Sequence, residues 1–416
     1  MLDRLHVPTV RASGPNVPSG LWRDAATGIR VVGRVVAFAA LAVLALATAM
    51  GGRAGAAVST DVVGQVYVND NTGGTNTIAG FSRHLDGSLT PLPGSPFAAG
   101  GFGTGQGLAS QGALQLSSDG RYLLAVDAGS NQISVLRIKP DGTLESVGGG
   151  PVASNGDNPV SIAVYGPLVY VANAGSAGST GQTNYTGFVL NPGGHLRPLA
   201  GSTVTLPDGS QPGDVLFSPD GSKLVGTRVG SSMIDSFTVG ADGLLSAAAG
   251  SPFPAQGFGP FGSEFRPTNA AQLYVSNAHN GGTDTGTVSA FTDAPDGTLT
   301  TIGASPFPDD QTAPCWVEIS HDGQVLFTVN TASMSISSYS IAPDGRLSLL
   351  ESTPIAAPTA TPEDARLSPD GSTLWVVDPG ADTISGFTVS GGNLAELPGS
   401  PAAGPVGATP SGIVVT

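Results

Sequence analysis

Residues 212–253 read PGDVLFSPDGSKLVGTRVGSSMIDSFTVGADGLLSAAAGSPF, and this stretch holds one complete repeat of the chain. Its opening alternation, residues 212–217, predicts a β-strand. The Asp-Gly step at Asp220 and Gly221 predicts the hairpin turn that ends this strand, because both residue types tolerate positive φ. In other units, residues 168–173, 131–138 and 143–148 predict a second, third and fourth strand. Each unit therefore predicts four short antiparallel strands.

The unit recurs along the chain. A Gln or Pro opens an apolar alternation at seven positions, spaced by 48 to 54 residues: Gln111, Pro159, Pro212, Pro260, Pro314, Pro362 and Pro410. A closing Gly-Ser-Pro, or a weaker version of it, also occurs seven times. Four antiparallel strands in a repeat of this length are typical of a β-propeller blade, so the markers predict seven blades.

The two ends of the repeat region complement each other. Residues 66–97 supply only the second to fourth strands of a blade, and residues 410–416 supply a lone first strand. The C-terminal strand is therefore expected to complete the first blade, which closes the ring and removes a sheet edge. The predicted fold is all-β, a seven-bladed propeller of four-stranded antiparallel blades over residues 58–416.

The composition agrees with many tight turns rather than with disorder. The 416 residues include 61 Gly and 33 Pro, yet 40% are hydrophobic and only 11% are charged. Disordered chains lack apolar residues and carry high charge, so this chain is expected to bury a large core. The lone cysteine, Cys315, excludes an internal disulfide and is expected to be a buried structural thiol.

The N-terminus predicts export. Arg30 and Arg34 precede a 16-residue apolar run, residues 35–50, and small residues follow at 54–57. This run is shorter than the roughly 18 residues of a membrane span, so residues 1–57 are predicted to be a cleaved signal peptide; an uncleaved anchor is the alternative. The mature chain would be secreted or extracytoplasmic, including the cell surface, with no stable membrane span. Its 10 basic and 29 acidic residues, a net charge of −19, disfavour nucleic acid as a partner.

The repeat resembles that of the lactonase-type seven-bladed propellers. The resemblance rests on the order of its motifs, which are Ser-Pro-Asp-Gly, Tyr-Val-Ala-Asn, Ile-Ser-x-Phe, Asp-Gly-x-Leu and Gly-Ser-Pro. This family includes bacterial 6-phosphogluconolactonase, carboxymuconate-cyclising enzymes and the related YVTN surface repeats. The resemblance implies the propeller fold and a lactonase-type site built from Pro-Arg-His at the start of an innermost strand. No histidine follows any of the marker prolines of this chain, so its site departs from that pattern.

Alternation along the predicted innermost strands separates packing residues from channel residues. The positions three and five residues after the markers are mostly apolar, which predicts packing between blades. The interleaved positions are expected to line the central channel, where they either contact trapped water or form a pocket: Asp214, Glu264, Trp316, Glu318, Asp364 and Arg366. In the pocket interpretation Trp316 is a flat platform and the carboxylates are acceptors, a combination that suits a sugar or another polyol.

Two functions are consistent with this pattern. The first is a binding or surface scaffold for a small polar ligand or a cell-surface partner, with Asp214, Arg266, Trp316, Glu363 and Arg366 contacting the ligand. The alternative is a lactone hydrolase for a non-phosphorylated sugar lactone, in which Glu264, Glu318 and Asp364 are catalytic. Arg266 or Arg366 would then stabilise an oxyanion.

The remaining predictions are negative or structural. No cofactor and no metal site are expected, and the protein is expected to be a monomer. The short motif Asn69-Asp70-Asn71 lacks the rest of a calcium ligand set. The glycine-rich residues 100–107 are predicted to form a loop between the first two blades.

Overall fold

The computed structural model describes residues 61–357, 359–405 and 408–416, which form seven small antiparallel sheets arranged as the blades of a propeller. The predicted signal peptide, residues 1–57, lies outside the described residues. Within the described ranges the only helical segments are two single 3₁₀ turns, Ala128–Ser130 and Val229–Ser231. No helix in those ranges is long and apolar enough to cross a membrane. The predicted all-β class and the count of seven blades are confirmed.

The first three blades contain the following strands, from the channel outward. Blade 1 comprises Ile413–Val415, Val62–Asn69, Gly74–His84, Leu89–Pro91 and Phe97–Gly103. Blade 2 comprises Leu114–Leu116, Tyr122–Asp127, Gln132–Ile138, Leu144–Ser146 and Val152–Ala153. Blade 3 comprises Pro159–Tyr165, Leu168–Ala174, Thr183–Leu190, Leu196–Pro198 and Val204–Thr205.

The other four blades repeat this order. Blade 4 comprises Pro212–Phe217, Lys223–Arg228, Met233–Val239, Leu245–Ala247 and Phe253–Pro254. Blade 5 comprises Pro260–Arg266, Asn269–Asn277, Thr287–Asp293, Leu299–Thr301 and Phe307–Pro308. Blade 6 comprises Pro314–Ile319, Val325–Asn330, Ser335–Ile341 and Leu347–Pro354. Blade 7 comprises Ala365–Leu367, Thr373–Asp378, Thr383–Ser390, Asn393–Glu396 and Ala402–Ala403.

The C-terminus closes the ring as predicted. Ile413–Val415 is the innermost strand of blade 1 and pairs antiparallel with residues 66–68. Gln65 and Thr416 exchange backbone hydrogen bonds at 3.2 and 2.9 Å beyond the end of that strand. The side chains of Ile413, Val414 and Val415 are at most 4% exposed. Closure therefore buries apolar surface and satisfies a sheet edge in one step.

The Gly-Ser-Pro repeat interrupts the outermost strand. In six blades two short segments pair with the same edge of the third strand, one before and one after this motif. The serine hydroxyl accepts a hydrogen bond from the backbone of the third strand, for example from Gly80 to Ser95 and from Ser236 to Ser251. The motif thus interrupts the fourth strand, and its serine remains hydrogen-bonded to the third strand. Blade 6, whose fourth strand is continuous, is the exception.

The repeated tyrosine of the second strand connects neighbouring blades. The hydroxyl groups of Tyr67, Tyr170 and Tyr274 donate hydrogen bonds of 2.7–3.0 Å to the carbonyl of the Asp-Gly glycine in the following blade. The aspartates of these turns are mostly engaged locally; hydrogen bonds from Ser117 and Arg121 lower the pKa of Asp119 to about 2. The repeated tyrosines therefore serve contacts between blades, and the repeated aspartates serve the hairpin turns.

The glycine-rich segment differs from the predicted loop. Its first residues belong to the outer strand Phe97–Gly103 of blade 1, which lies against blade 2. A Cβ atom on Gly101 would lie 2.5 Å from Oδ2 of Asp127. Glycine is therefore required here by close approach to the next blade rather than by a turn.

Candidate functional site

The innermost strands begin at one face of the propeller, which we call the mouth face, and end at the face that carries most Asp-Gly turns. The apolar residues three and five positions after the markers pack between blades as predicted; Val215, Val317 and Leu367, for example, belong to apolar clusters. The charged interleaved residues of blades 4 to 7 meet in the channel. The structure thus brings Asp214, Glu264, Glu318, Asp364 and Arg366 together.

A short chain segment fills the channel above these residues. We call residues 108–112, which lead into blade 2, the plug. Gln111 accepts a hydrogen bond from the amide of Val317 at 2.9 Å and donates one to the carbonyl of Ser263 at 3.1 Å. Its backbone amide donates to Gly213. The next residue, Gly112, donates from its backbone to Asp364 at 3.2 Å. The plug is therefore bonded to blades 4, 5, 6 and 7.

Most of the channel carboxylates already have partners. The two oxygens of Asp214 accept hydrogen bonds from the hydroxyl groups of Ser161 and Ser263, at 3.1 and 2.6 Å. Glu318 accepts the backbone amide of Leu367 at 3.0 Å and pairs with Arg366 at 3.3 Å. These contacts join blade 3 to blade 4, blade 4 to blade 5, and blade 6 to blade 7 around the channel.

Glu264 stands apart from the other carboxylates. It is half-buried, and its carboxylate accepts no hydrogen bond from the residues that the structure describes. Burial, followed by the nearby charge of Glu318, raises its pKa well above the usual range, although Arg366 acts in the opposite direction. Glu264 is thus the channel carboxylate with free acceptor capacity.

Burial is the largest influence on the pKa values of the four channel carboxylates. It raises the pKa of Asp214 to about 7 and that of Asp364 to about 6, against the lowering effect of their hydrogen bonds and, for Asp364, of Arg366. The carboxylates in turn raise the pKa of Arg366, which remains positively charged. One guanidinium cannot neutralise four carboxylates in a poorly solvated channel, so part of the group is protonated near neutral pH.

Three predicted ligand contacts are not part of this carboxylate group. Trp316 is 3% exposed; it packs edge-on against Phe261, with ring centroids 5.2 Å apart, and its indole donates to the carbonyl of Ser110. It therefore offers no open platform. Arg266 follows a register shift in its strand and donates to backbone carbonyls of blade 6, including Gly323 at 2.6 Å. The shift turns it out of the channel.

Glu363 lies at the edge of the plug rather than in the carboxylate group. Its Oε2 is 3.5 Å from the hydroxyl of Ser411. Burial and the adjacent Asp364 raise its pKa to about 8. The buried Cys315 thiol also has a raised pKa, about 12, because of burial, which agrees with a structural role.

A cleft opens at the mouth face beside the plug, and sequence reasoning did not find it. Its volume is about 440 Å³. The floor is apolar and formed by Leu108, Pro212, Val229 and Phe261, whereas the polar rim contains Asn158, Ser176, Thr183, Asp208, Gln211 and His279. The sequence feature that could have indicated an unusual channel beside this cleft is the first marker, where Gln111 replaces the proline found at the other six.

The mouth face of the propeller is acidic. Asp208, Asp284, Asp310 and Asp382 are exposed in mouth-face loops. Among the described residues of that face the only Lys or Arg is Arg228, which forms a two-bonded ion pair with Asp235 at 2.6 Å. Groups of three or more His, Cys, Asp or Glu side chains placed to hold a metal do not occur in the described ranges.

Comparison with known proteins shows which family has this architecture. A family model for lactonase, 7-bladed β-propeller, matches residues 74–180 and 264–408, more than half of the chain. The chain belongs to this lactonase propeller family. Residues 181–263 lie outside the match, and this part of the lactonase propeller supplies Asp208, Gln211, Val229 and Phe261 of the mouth cleft. No curated protein matches the sequence.

Solved structures share the fold of this lactonase propeller at low identity. A protein of Bacteroides uniformis provisionally described as a 6-phosphogluconolactonase is 20% identical, with a TM-score of 0.67 over 86% of this chain and 100% of its own. A protein from Lactobacillus plantarum is 19% identical, with a TM-score of 0.67 over 85% and 99%. The periplasmic gluconolactonase of Pseudomonas aeruginosa is 19% identical, with a TM-score of 0.64 over 85% and 99%.

Proposed function

We propose that this lactonase-family propeller is an exported binding protein that takes a neutral, sugar-like ligand in the mouth cleft. The observation that carries the proposal is the chemistry of that cleft, an apolar floor surrounded by amide and hydroxyl groups. Sugars present apolar C–H faces and a periphery of hydroxyl groups, which such a floor and rim complement. The side chains of Asn158 and Gln211 have no hydrogen-bond partner among the described residues and are therefore available to a ligand.

The charge of the mouth face favours a neutral ligand over an anionic one. Among the described residues that line the cleft there is no Lys or Arg, and Asp208 lies on its rim. A phosphate group would be repelled there and would find no guanidinium or ammonium partner. Phosphorylated sugars are therefore poor candidates, and a cell-surface glycan is as suitable as a free sugar.

A lactone hydrolase is the second candidate, and Glu264 is the observation that favours it. A half-buried carboxyl group with a raised pKa and free acceptor capacity beside Arg366 has the properties of an acid–base catalyst. The plug lies between this group and the mouth cleft, however, and Glu318 and Asp364 are engaged in structural hydrogen bonds. Binding without turnover is therefore the leading proposal.

Export rests on the sequence of residues 1–57, and the periplasmic location named for the Pseudomonas protein is consistent with it. Intact-mass analysis of the protein from the periplasm or medium tests this step. A chain that begins near residue 58 is expected, and a full-length chain confined to the cytoplasm would contradict export.

Isothermal titration calorimetry of the mature protein against neutral monosaccharides, gluconate and glucose 6-phosphate tests ligand binding. The proposal expects saturable binding of at least one neutral sugar and none of the phosphorylated one. Gln211→Leu removes a rim amide and should weaken binding about tenfold, in line with the roughly 1–3 kcal/mol cost of an unpaired buried polar group. Gln324→Leu, an exposed glutamine on the opposite face, is the matched control.

A lactonase assay with sugar 1,5-lactones separates the two candidates. Turnover in the wild type that Glu264→Gln abolishes would replace the binding proposal by the enzyme. Binding of a neutral sugar without lactone turnover would support the scaffold, and the absence of both would reject the mouth cleft as the site.

A further inference from the structure

A second cleft, with a volume of about 540 Å³, lies where the end of blade 7 meets blade 1. None of the described residues lines both this cleft and the mouth cleft. Its walls are mainly apolar and include Ala79, Phe81 and Pro91 of blade 1 and Ala403 and Pro405 near the end of blade 7. We call it the inter-blade cleft.

One carboxylate lies in the wall of this apolar cleft. Asp70 directly follows the second strand of blade 1 and is 3% exposed. Its Oδ2 accepts a hydrogen bond from the Thr77 hydroxyl at 2.6 Å. Its Oδ1 is buried and has no hydrogen-bond partner in the part of the chain that the structure describes. A buried carboxylate with an unsatisfied oxygen is costly unless an opposite charge or a proton compensates it.

The other polar groups of the cleft do not supply that compensation. Among the described residues, no second acidic or basic side chain lines it. The hydroxyl groups of Thr72 and Thr77 lie 3.1 Å apart, and the Ser95 hydroxyl accepts the amide of Gly80. Burial raises the pKa of Asp70 to about 7, while the hydroxyl of Thr77 and the backbone of Ala79 lower it only in part. Near neutral pH the group is thus partly ionised and unpaired.

We propose that the inter-blade cleft binds a small organic ammonium ion, whose apolar body packs against the cleft walls and whose charge lies beside Asp70. An anion would be repelled by the carboxylate. A divalent metal would find a single carboxylate rather than a ligand set. A polyol would meet mostly apolar walls. The proposal is independent of ligand binding at the mouth face.

Three aromatic probes of similar size at pH 8 test the charge requirement by calorimetry: benzylammonium, benzyl alcohol and benzoate. Benzylammonium is expected to bind at least tenfold more tightly than benzyl alcohol, and benzoate should not bind. Below the pKa of Asp70 the preference should shrink up to tenfold per pH unit, because a proton then competes with the ammonium ion. Equal affinity for the charged and neutral probes would overturn the proposal.

Asp70→Asn is expected to abolish the preference. Asp378→Asn is the matched control, because Asp378 is also fully buried with one unsatisfied oxygen but does not line the cleft. A preference that survives in Asp70→Asn would refute the assignment. If that variant does not fold, amide NMR shifts in the wild type decide the question: benzylammonium should perturb Thr77, Ala79 and Ala403, and perturbation confined to other regions would contradict the site.

Discussion

Gln111 is the residue whose substitution most directly tests the architecture of the channel. Its side chain is 4% exposed and joins blades 5 and 6 to the plug. The carboxamide donates to the carbonyl of Ser263 in blade 5 and accepts the amide of Val317 in blade 6. Gln111→Ala removes both hydrogen bonds and leaves these two backbone groups without their partner.

The expected loss follows from those two contacts. A hydrogen bond contributes about 1 kcal/mol net, and each buried group left unpaired costs about 1–3 kcal/mol, so Gln111→Ala should lower the free energy of unfolding by roughly 3–5 kcal/mol. With an unfolding entropy of about 2.1 cal/mol/K per residue, this loss lowers the Tm of a domain of this length by about 5 °C.

Differential scanning calorimetry measures this change, and Gln115→Ala is the control. Gln115 is a glutamine four residues further along the same channel, half-buried, with no side-chain hydrogen bond among the described residues. Its substitution should shift the Tm by less than 1–2 °C, corresponding to roughly 1 kcal/mol or less. Equal Tm values for the two variants would refute the role of the plug as a hub between blades.

Three further predictions concern closure, close approach and protonation. Deletion of residues 409–416 should cause aggregation or a large fall in Tm, because the second strand of blade 1 loses its inner partner; an unchanged melting curve would contradict closure. Gly101→Ala should destabilise the fold, since the new Cβ would lie 2.5 Å from Asp127, whereas Gly148→Ala, with no atom within 4 Å, should be tolerated when both are compared by thermal melting. The free energy of unfolding should fall as the pH rises from 5 to 8. Burial raises the pKa of Asp214 to about 7 in the folded state, so the folded chain holds this proton at pH values where the unfolded chain has already lost it, and rising pH favours the unfolded state. Asp214→Asn should flatten this decline in Tm, and a decline of wild-type size in the variant would assign it to other groups.

Much of the fold was predictable because its determinants are local or periodic. Asp-Gly steps set hairpin turns within a few residues, and the alternation of residues 212–217 places Val215 between blades without knowledge of any distant contact. The number of blades followed from counting markers, and the incomplete units at both ends predicted the closing strand. The glycine-rich outer strand was missed because close approach to Asp127 leaves no local sequence pattern.

For the channel residues, the sequence predicted their positions but not their hydrogen-bond partners. Alternation predicted that Asp214, Glu264, Glu318, Asp364 and Arg366 converge, and the structure brings them together. It did not predict which of them are free, since that depends on partners such as Ser161 and Gly112 in other blades.

By itself the sequence determined the seven-bladed, all-β architecture, because strand period, turn residues and repeat length are properties of neighbouring residues. Only the tertiary structure decided what fills the channel and where a ligand has room. Ser110 meets Trp316 across 206 residues of sequence, the bulge before Arg266 turns it away from the channel, and the mouth cleft combines side chains from three blades and the plug. Such sites depend on hydrogen bonds and packing between residues far apart in the chain, which no local pattern records.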